Sequence, residues 1–200
     1  MTALTSMTPT TSDSSPTTKS LVAVRILVCG NADRGDDGAA LAAIARILPA
    51  LPPAVLARLE VRRCVQLDAT DLIDVADGEA CLIVDTVVGV EPGEVVTIPL
   101  ACLASGVGPI SPRSSHALPI DQTIALALAL RGAPLAGCFV GIGGRWFAYG
   151  QGRFSRPVKA NLGGLGAAIV ADLESLLAGA PMPPCDPTTS APDAVGAGGG

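Results

Sequence analysis

The chain has 200 residues, a formal net charge of -5 and a mean hydropathy of +0.50, with 49% hydrophobic, 16% charged and only 2% aromatic residues. That length favours one domain plus tails, and a body of this size buries roughly 70% of the surface its unfolded chain exposes, enough for a core without disulfides or a structural metal. The absence of any basic run or stripe argues against nucleic acid as a partner, and no uninterrupted apolar run reaches the roughly 18–20 residues that span a bilayer.

Residues 1–20 are rich in Thr, Ser and Pro, and residues 180–200 in Pro, Ala and Gly. Neither segment can bury enough apolar surface to offset its ordering entropy, so both read as disordered tails around a folded domain at 21–179. The domain opens with a strand, LVAVRILVC (21–29). An Ala-rich helix follows over 36–48, with Asp36 and Asp37 in its first turn and Pro49 after it. A strand over 59–67 and a short helix over 69–76 come next. Residues 80–88 form a near-continuous apolar run, as expected of a strand covered on both faces. Further elements are a strand at 94–100, a helix at 114–132 closed by Gly132, and a strand within 133–144 that ends in glycines. The last is a helix at 155–179, with Ser155 as its N-cap and Pro157 in its first turn. Gly163, Gly164 and Gly166 weaken that helix, and they predict close packing on the sheet. The alternation of strand and helix predicts an α/β sandwich with a largely parallel sheet. Sites in such sheets lie beyond the carboxyl ends of the strands near a topological switch point, here the loops after Cys29, Val84 and Gly141 and the helix start near His116.

The six cysteines, Cys29, Cys64, Cys81, Cys102, Cys138 and Cys185, include no CxxC pair, which argues against a zinc ribbon or a thioredoxin-like site. Several stand in apolar strand-like runs, where Cys acts as a small hydrophobe, and they read as reduced thiols of a cytoplasmic protein. The N-terminus carries no secretory signal pattern.

Three places can carry chemistry. The loop GNADRGDDG (30–38) leaves a strand and enters a helix. Capping alone accounts for Asp36 and Asp37, since negative charge at a helix N-terminus is favourable by about 0.3–1 kcal/mol. The loop lacks GxGxxG and GK[ST], so it is neither a dinucleotide fingerprint nor a Walker loop. Asp85 follows apolar residues at the end of a strand, where a carboxylate either accepts loop N–H bonds or serves as ligand or acid/base. His116 is the sole histidine. It rules out HExxH and multi-histidine zinc sites, and a Ser-His-Asp triad has no GxSxG elbow to support it. Two carboxylates and one imidazole from three different loops form an O,O,N set that suits a divalent transition metal. Carboxylates brought close also call for a cation, because their repulsion raises one pKa.

With these residues in view, the chain resembles the hydrogenase maturation endopeptidase family. The resemblance rests on the opening strand with Gly30-Asn31 and Asp36-Asp37-Gly38, on Asp85 closing IVDTV, on His116 after a Ser-Pro-rich loop, and on Gly152 to Ser155 with Val158 and Ala160 entering the last helix. It departs at Val28, at Asp33-Arg34 and at Gly141-Ile142-Gly143-Gly144, which touch loop shape and the docking surface. The resemblance implies a three-layer α/β/α sandwich around a central, mostly parallel five-stranded sheet of the phosphorylase/hydrolase-like kind. It implies an aspartic-type endopeptidase that removes the C-terminal extension of a nickel-loaded hydrogenase large-subunit precursor. Asp37, Asp85 and His116 would bind nickel and serve catalysis, with Gly30, Asn31, Asp36 and Gly38 in support. Nickel would arrive with the substrate, and no organic cofactor, nucleic acid or membrane is expected. The default assembly is a monomer. The alternatives are a non-catalytic metallochaperone or docking protein for hydrogenase assembly, and a different hydrolase on a similar sandwich.

Overall fold

Three apolar runs build the middle of one sheet. The structure, a computed structural model, describes residues 23–106, 119–150, 153–182 and 185. The N-terminal tail, most of residues 180–200, the first part of the helix predicted from 114, His116 within it, and Gly152 lie outside the described residues. In chain order the elements are β1 (Val24–Cys29), α1 (Ala39–Ile47), α2 (Pro53–Leu56), β2 (Leu59–Cys64), α3 (Ala69–Ile73), β3 (Ala80–Val87), β4 (Val95–Pro99), α4 (Leu100–Ser105), α5 (Ile120–Arg131), β5 (Gly137–Gly143) and α6 (Arg156–Leu177). The sheet runs β2-β1-β3-β5-β4, parallel throughout except for β4, which is antiparallel to β5.

Every residue of β1, β3 and β5 is buried, because these are the inner strands and helices cover both faces. On one face Val24, Ile26, Val28, Leu82, Val84 and Val140 meet α1 and the Val158, Leu165, Ile169 and Leu173 stripe of α6. On the other, Leu27, Ile83, Val87 and Phe139 meet Leu72 of α3, Leu100 and Leu103 of α4, and Ile120 and Ile124 of α5. The fold is thus a three-layer α/β/α sandwich with a five-stranded, mostly parallel sheet.

Several boundaries differ from the sequence reading. Within the described residues helix α5 runs from Ile120, following Pro119 in extended backbone. Proline has no N–H to give to a helix and suits its start, so a start just after Pro119 is natural. Helix α4 was not expected; it is short and apolar, and the run predicted as strand through Leu100 turns into it at Pro99. The glycines of α6 do not pack on the sheet. Gly163 faces open space, Gly164 sits against Asn161 at a break in helical geometry, and Gly166 approaches Ile47 of α1. Helix α6, 22 residues long, is also apolar enough to cross a bilayer by length and composition, with a mean hydropathy of 1.2 over an 18-residue window, which a count of uninterrupted apolar residues missed. Here one stripe of it packs on the sheet. The expectation of six reduced thiols is corrected at one pair: Cys102 of α4 is disulfide-bonded to Cys185, 83 residues on, a proximity created only by tertiary folding. Cys29, Cys81 and Cys138 are buried free thiols, and Cys64 is half-buried.

Candidate active site

The chain leaves β1 toward β2 on one side, whereas β3 and β5 continue the sheet on the other. The carboxyl ends of β1 and β3 therefore flank a topological switch point, where the connections diverge and leave a crevice. The loop from Gly30 to Gly38 closes over the first strand end, and Asp85 stands at the second.

Asp85 is fully buried. The pairing of Val28 with Val84 sets it beside the end of β1, and its partner on β5 is Gly141. Its Oδ1 accepts the Thr86 backbone N–H at 2.7 Å. Burial pushes its carboxyl from 3.8 up to about 8; the Thr86 N–H opposes that rise, and the charge of Asp37 adds to it. That mutual effect puts the two carboxylates within electrostatic reach of each other.

Asp37 is 2% exposed, and its Oδ2 accepts the Asn31 backbone N–H at 3.0 Å. Asn31 in turn accepts the Asp33 N–H on its side-chain oxygen at 2.9 Å, so its amide fixes a local turn. Arg34 N–H donates to the Asn31 carbonyl, and Asp37 N–H to the Arg34 carbonyl. The loop is folded so tightly that a Cβ on Gly30 would lie 2.0 Å from the Asp37 carbonyl oxygen, and Gly30 has φ +120°. Only glycine is at ease there. A Cβ on Gly38 would press on Ala32 Cα at 3.0 Å.

Asp36 points elsewhere and does a different job. Its Oδ2 accepts the backbone N–H groups of Arg145 and Trp146, each at 3.0 Å, and its Oδ1 accepts that of Ser155 at 2.6 Å. Its own N–H donates to the Trp146 carbonyl, and its carbonyl accepts the Thr86 hydroxyl at 2.8 Å. One carboxylate thus ties the first loop to the segment between β5 and α6, and it is committed to positioning rather than to acting as a base. Ser155 is the N-cap residue of α6, but its hydroxyl makes no capping bond there; its backbone N–H is what counts.

Thr86, Trp146 and the Ser155 backbone were not foreseen as part of this assembly. Thr86 had a signal, since a hydroxyl inside a buried apolar strand must find a partner. Trp146 and Ser155 act through main-chain groups, which side-chain identity does not reveal. At the rim, the Arg34 guanidinium stands 5.9 Å from the ring centre of the exposed Tyr149, and its Nε donates to the Phe147 carbonyl. The family departure at Asp33-Arg34 therefore shapes the outer wall.

The structure sets Asp37 within electrostatic reach of Asp85 and assigns Asp36 to the loop, while His116 lies outside the described residues. Among the described residues no group of three or more His, Cys, Asp and Glu is placed to hold a metal ion. A groove of about 760 Å³ between α1 and α6, lined by Ile47, Leu51, Leu162 and Val170, contains neither carboxylate. Two buried carboxyls, one of them protonated near neutrality, can exchange a proton for a cation or take a proton from water.

Comparison with solved structures returns the resemblance read from the sequence. The chain is similar to the [NiFe] hydrogenase maturation protease HybD from Thermococcus kodakarensis, at 27% identity and a TM-score of 0.55, over 74% of this chain and 97% of that one. It shares its fold with the hydrogenase maturating endopeptidase HybD from E. coli, at 16% identity and a TM-score of 0.56, over 76% and 92% of the two chains. The same holds for the [NiFe] hydrogenase maturation protease HycI from Thermococcus kodakarensis KOD1, at 20% identity and a TM-score of 0.52, over 76% and 92%. No protein-family model matches the chain, and no curated protein sequence does.

Proposed function

We propose that this protein is an endopeptidase that removes the C-terminal extension of a hydrogenase large-subunit precursor, with nickel already held by the precursor as the recognition element. The observation that carries this reading is the electrostatic reach of Asp37 to Asp85 at the switch point of a fold that spans 97% of the Thermococcus kodakarensis protease. Asp37, Asp85 and His116 would complete the coordination of the substrate's nickel, an O,O,N set suited to that ion.

The electrostatics support the assignment. Burial and mutual repulsion keep a proton on Asp85 near neutrality, and a divalent cation arriving with the substrate takes that proton's place. Docking would then be selective for a precursor that carries the metal. Hydrolysis adds one water across the scissile peptide bond. A carboxylate of the Asp37–Asp85 pair receives the proton of the attacking water and passes it to the leaving amine. Asp36 keeps the Gly30–Gly38 loop fastened to the entry of α6, so that Asp37 stays in register with Asp85. The reading takes the protein as a cytoplasmic monomer without an organic cofactor of its own.

The test follows the mass of the precursor, nickel-loaded and nickel-free, with wild type and with Asp37→Ala, Asp85→Ala and His116→Ala. Each variant is expected to cleave at least about 100-fold more slowly, the lower end for loss of a positioned acid/base group. Wild-type rates in all three would refute the site. Equal cleavage of the nickel-free precursor would refute nickel recognition.

A further inference from the structure

Two of the four free thiols are arranged unlike the others. Cys29 ends β1 and Cys64 ends β2, and the two are direct register partners on neighbouring parallel strands. Both side chains lie on the face covered by α3 and α5. Adjacent strands run about 4.7–4.9 Å apart, inside the roughly 4.4–6.8 Å between Cα atoms that a disulfide accepts, so the spacing of the two strands is compatible with a bond between these sulfurs. Cys81 and Cys138 are fully buried and face opposite sides of the sheet.

We infer that Cys29 and Cys64 form a reversible disulfide, a thiol-modification site at the carboxyl edge of the sheet beside the Gly30–Gly38 loop. The two thiols divide the work. Cys64 is half-buried and followed by Val65, which is 74% exposed, so a small reagent reaches it from solvent. Its Sγ–H donates to Asp71 Oδ2 at 3.7 Å. A hydrogen bond from Cys29 holds the Cys64 thiol below its ordinary range, the direction that favours attack. Cys29 is fully buried behind it and is positioned to resolve.

The oxidant is a low-molecular-weight disulfide. The Cys64 sulfur attacks one of its sulfurs, the reagent S–S bond breaks, and one thiol leaves with the Cys64 proton. The Cys29 sulfur then attacks Cys64 Sγ in the mixed disulfide, and the second reagent thiol leaves with the Cys29 proton. Two protein thiols are oxidised and one reagent disulfide is reduced to two thiols. The main chain couples this pair to the neighbouring loop, because Gly30 N–H donates to the Cys64 carbonyl at 3.1 Å. The inference is independent of the proposed activity and requires no substrate.

The test treats the full chain with oxidised glutathione, alkylates free thiols under denaturing conditions and maps peptides without reduction. The four alkylatable thiols are expected to fall to two, with one linked peptide pair carrying Cys29 and Cys64 beside the Cys102–Cys185 pair, and dithiothreitol should return Cys29 and Cys64 to the alkylatable thiols. Cys29→Ser should retain one glutathione on Cys64, and Cys64→Ser should keep its remaining free thiols alkylatable. Four alkylatable thiols after treatment of the wild type would overturn the inference. So would a lasting glutathione adduct on wild-type Cys64 with Cys29 still alkylated. The wild-type map decides the matter even if a variant fails to fold.

Discussion

Replacing Asp85 with Asn separates the electrostatic argument from the catalytic one. Asp85 is fully buried, and its carboxyl is pushed from 3.8 up to about 8. Below the lower value both folded and unfolded chains carry the proton, and above the higher value neither does. Between them the folded protein holds a proton that the unfolded chain has released. Stability is therefore lost as pH rises through that window, by at most about 1.4 kcal/mol per pH unit. Asp85→Asn abolishes this term while keeping the shape, and the amide oxygen still accepts the Thr86 N–H. From about pH 5 to about pH 7 the wild type should lose up to about 3 kcal/mol relative to the variant. Urea titrations at the two pH values measure it, because titrating groups that do not interact with Asp85 cancel in the difference. With a slope of about 1–3 kcal/mol/M, the gap between midpoints should shift by up to about 1–3 M. The variant should be the more stable protein at neutral pH and fail to cleave a precursor. Parallel stability–pH curves would show that folded Asp85 is ionised like an ordinary carboxylate, and the exchange of proton for cation would have no basis.

Other predictions follow from the loop. Asp36→Ala leaves the N–H groups of Arg145, Trp146 and Ser155 without their acceptor at a part-buried junction, and at the low end of about 1–3 kcal/mol for each unsatisfied group it should destabilise by about 2–3 kcal/mol, read by thermal unfolding. An unchanged melting curve would mean that the carboxylate does not hold the two loops together. Gly30→Ala forces a side chain onto φ +120° and against the Asp37 carbonyl, and it should cost at least about 2 kcal/mol and slow cleavage as Asp37 shifts. Cys185→Ser opens a bridge spanning 83 residues and should lower stability by about 2–4 kcal/mol under non-reducing conditions. Equal denaturation midpoints for it and the wild type would remove the bridge from the folded protein.

The inner strands were legible because burial on both faces leaves a compositional mark. VRILVC and ACLIVDTV admit few polar residues: Arg25 near the start of β1, and Asp85 and Thr86 toward the end of β3, where the site lies. The entry of α6 was legible from Ser155 and Pro157, although the work at Ser155 is done by its main chain. Helix α4 was hidden because six small and apolar residues carry no period long enough to separate helix from strand.

The residues alone settled that this chain alternates strand and helix around a two-sided sheet and that its acids gather at strand ends, since apolar runs and turn signals are local properties. Which of two adjacent aspartates is a fastener and which bears on the charge of Asp85 was settled only by folding. Asp36 and Asp37 are chemically identical, and they part company because three main-chain N–H groups from more than 100 residues away arrive beside one of them. The same reason accounts for the bridge from Cys102 to Cys185 and for the pairing of Cys29 with Cys64, because distance along a chain says little about distance across a sheet.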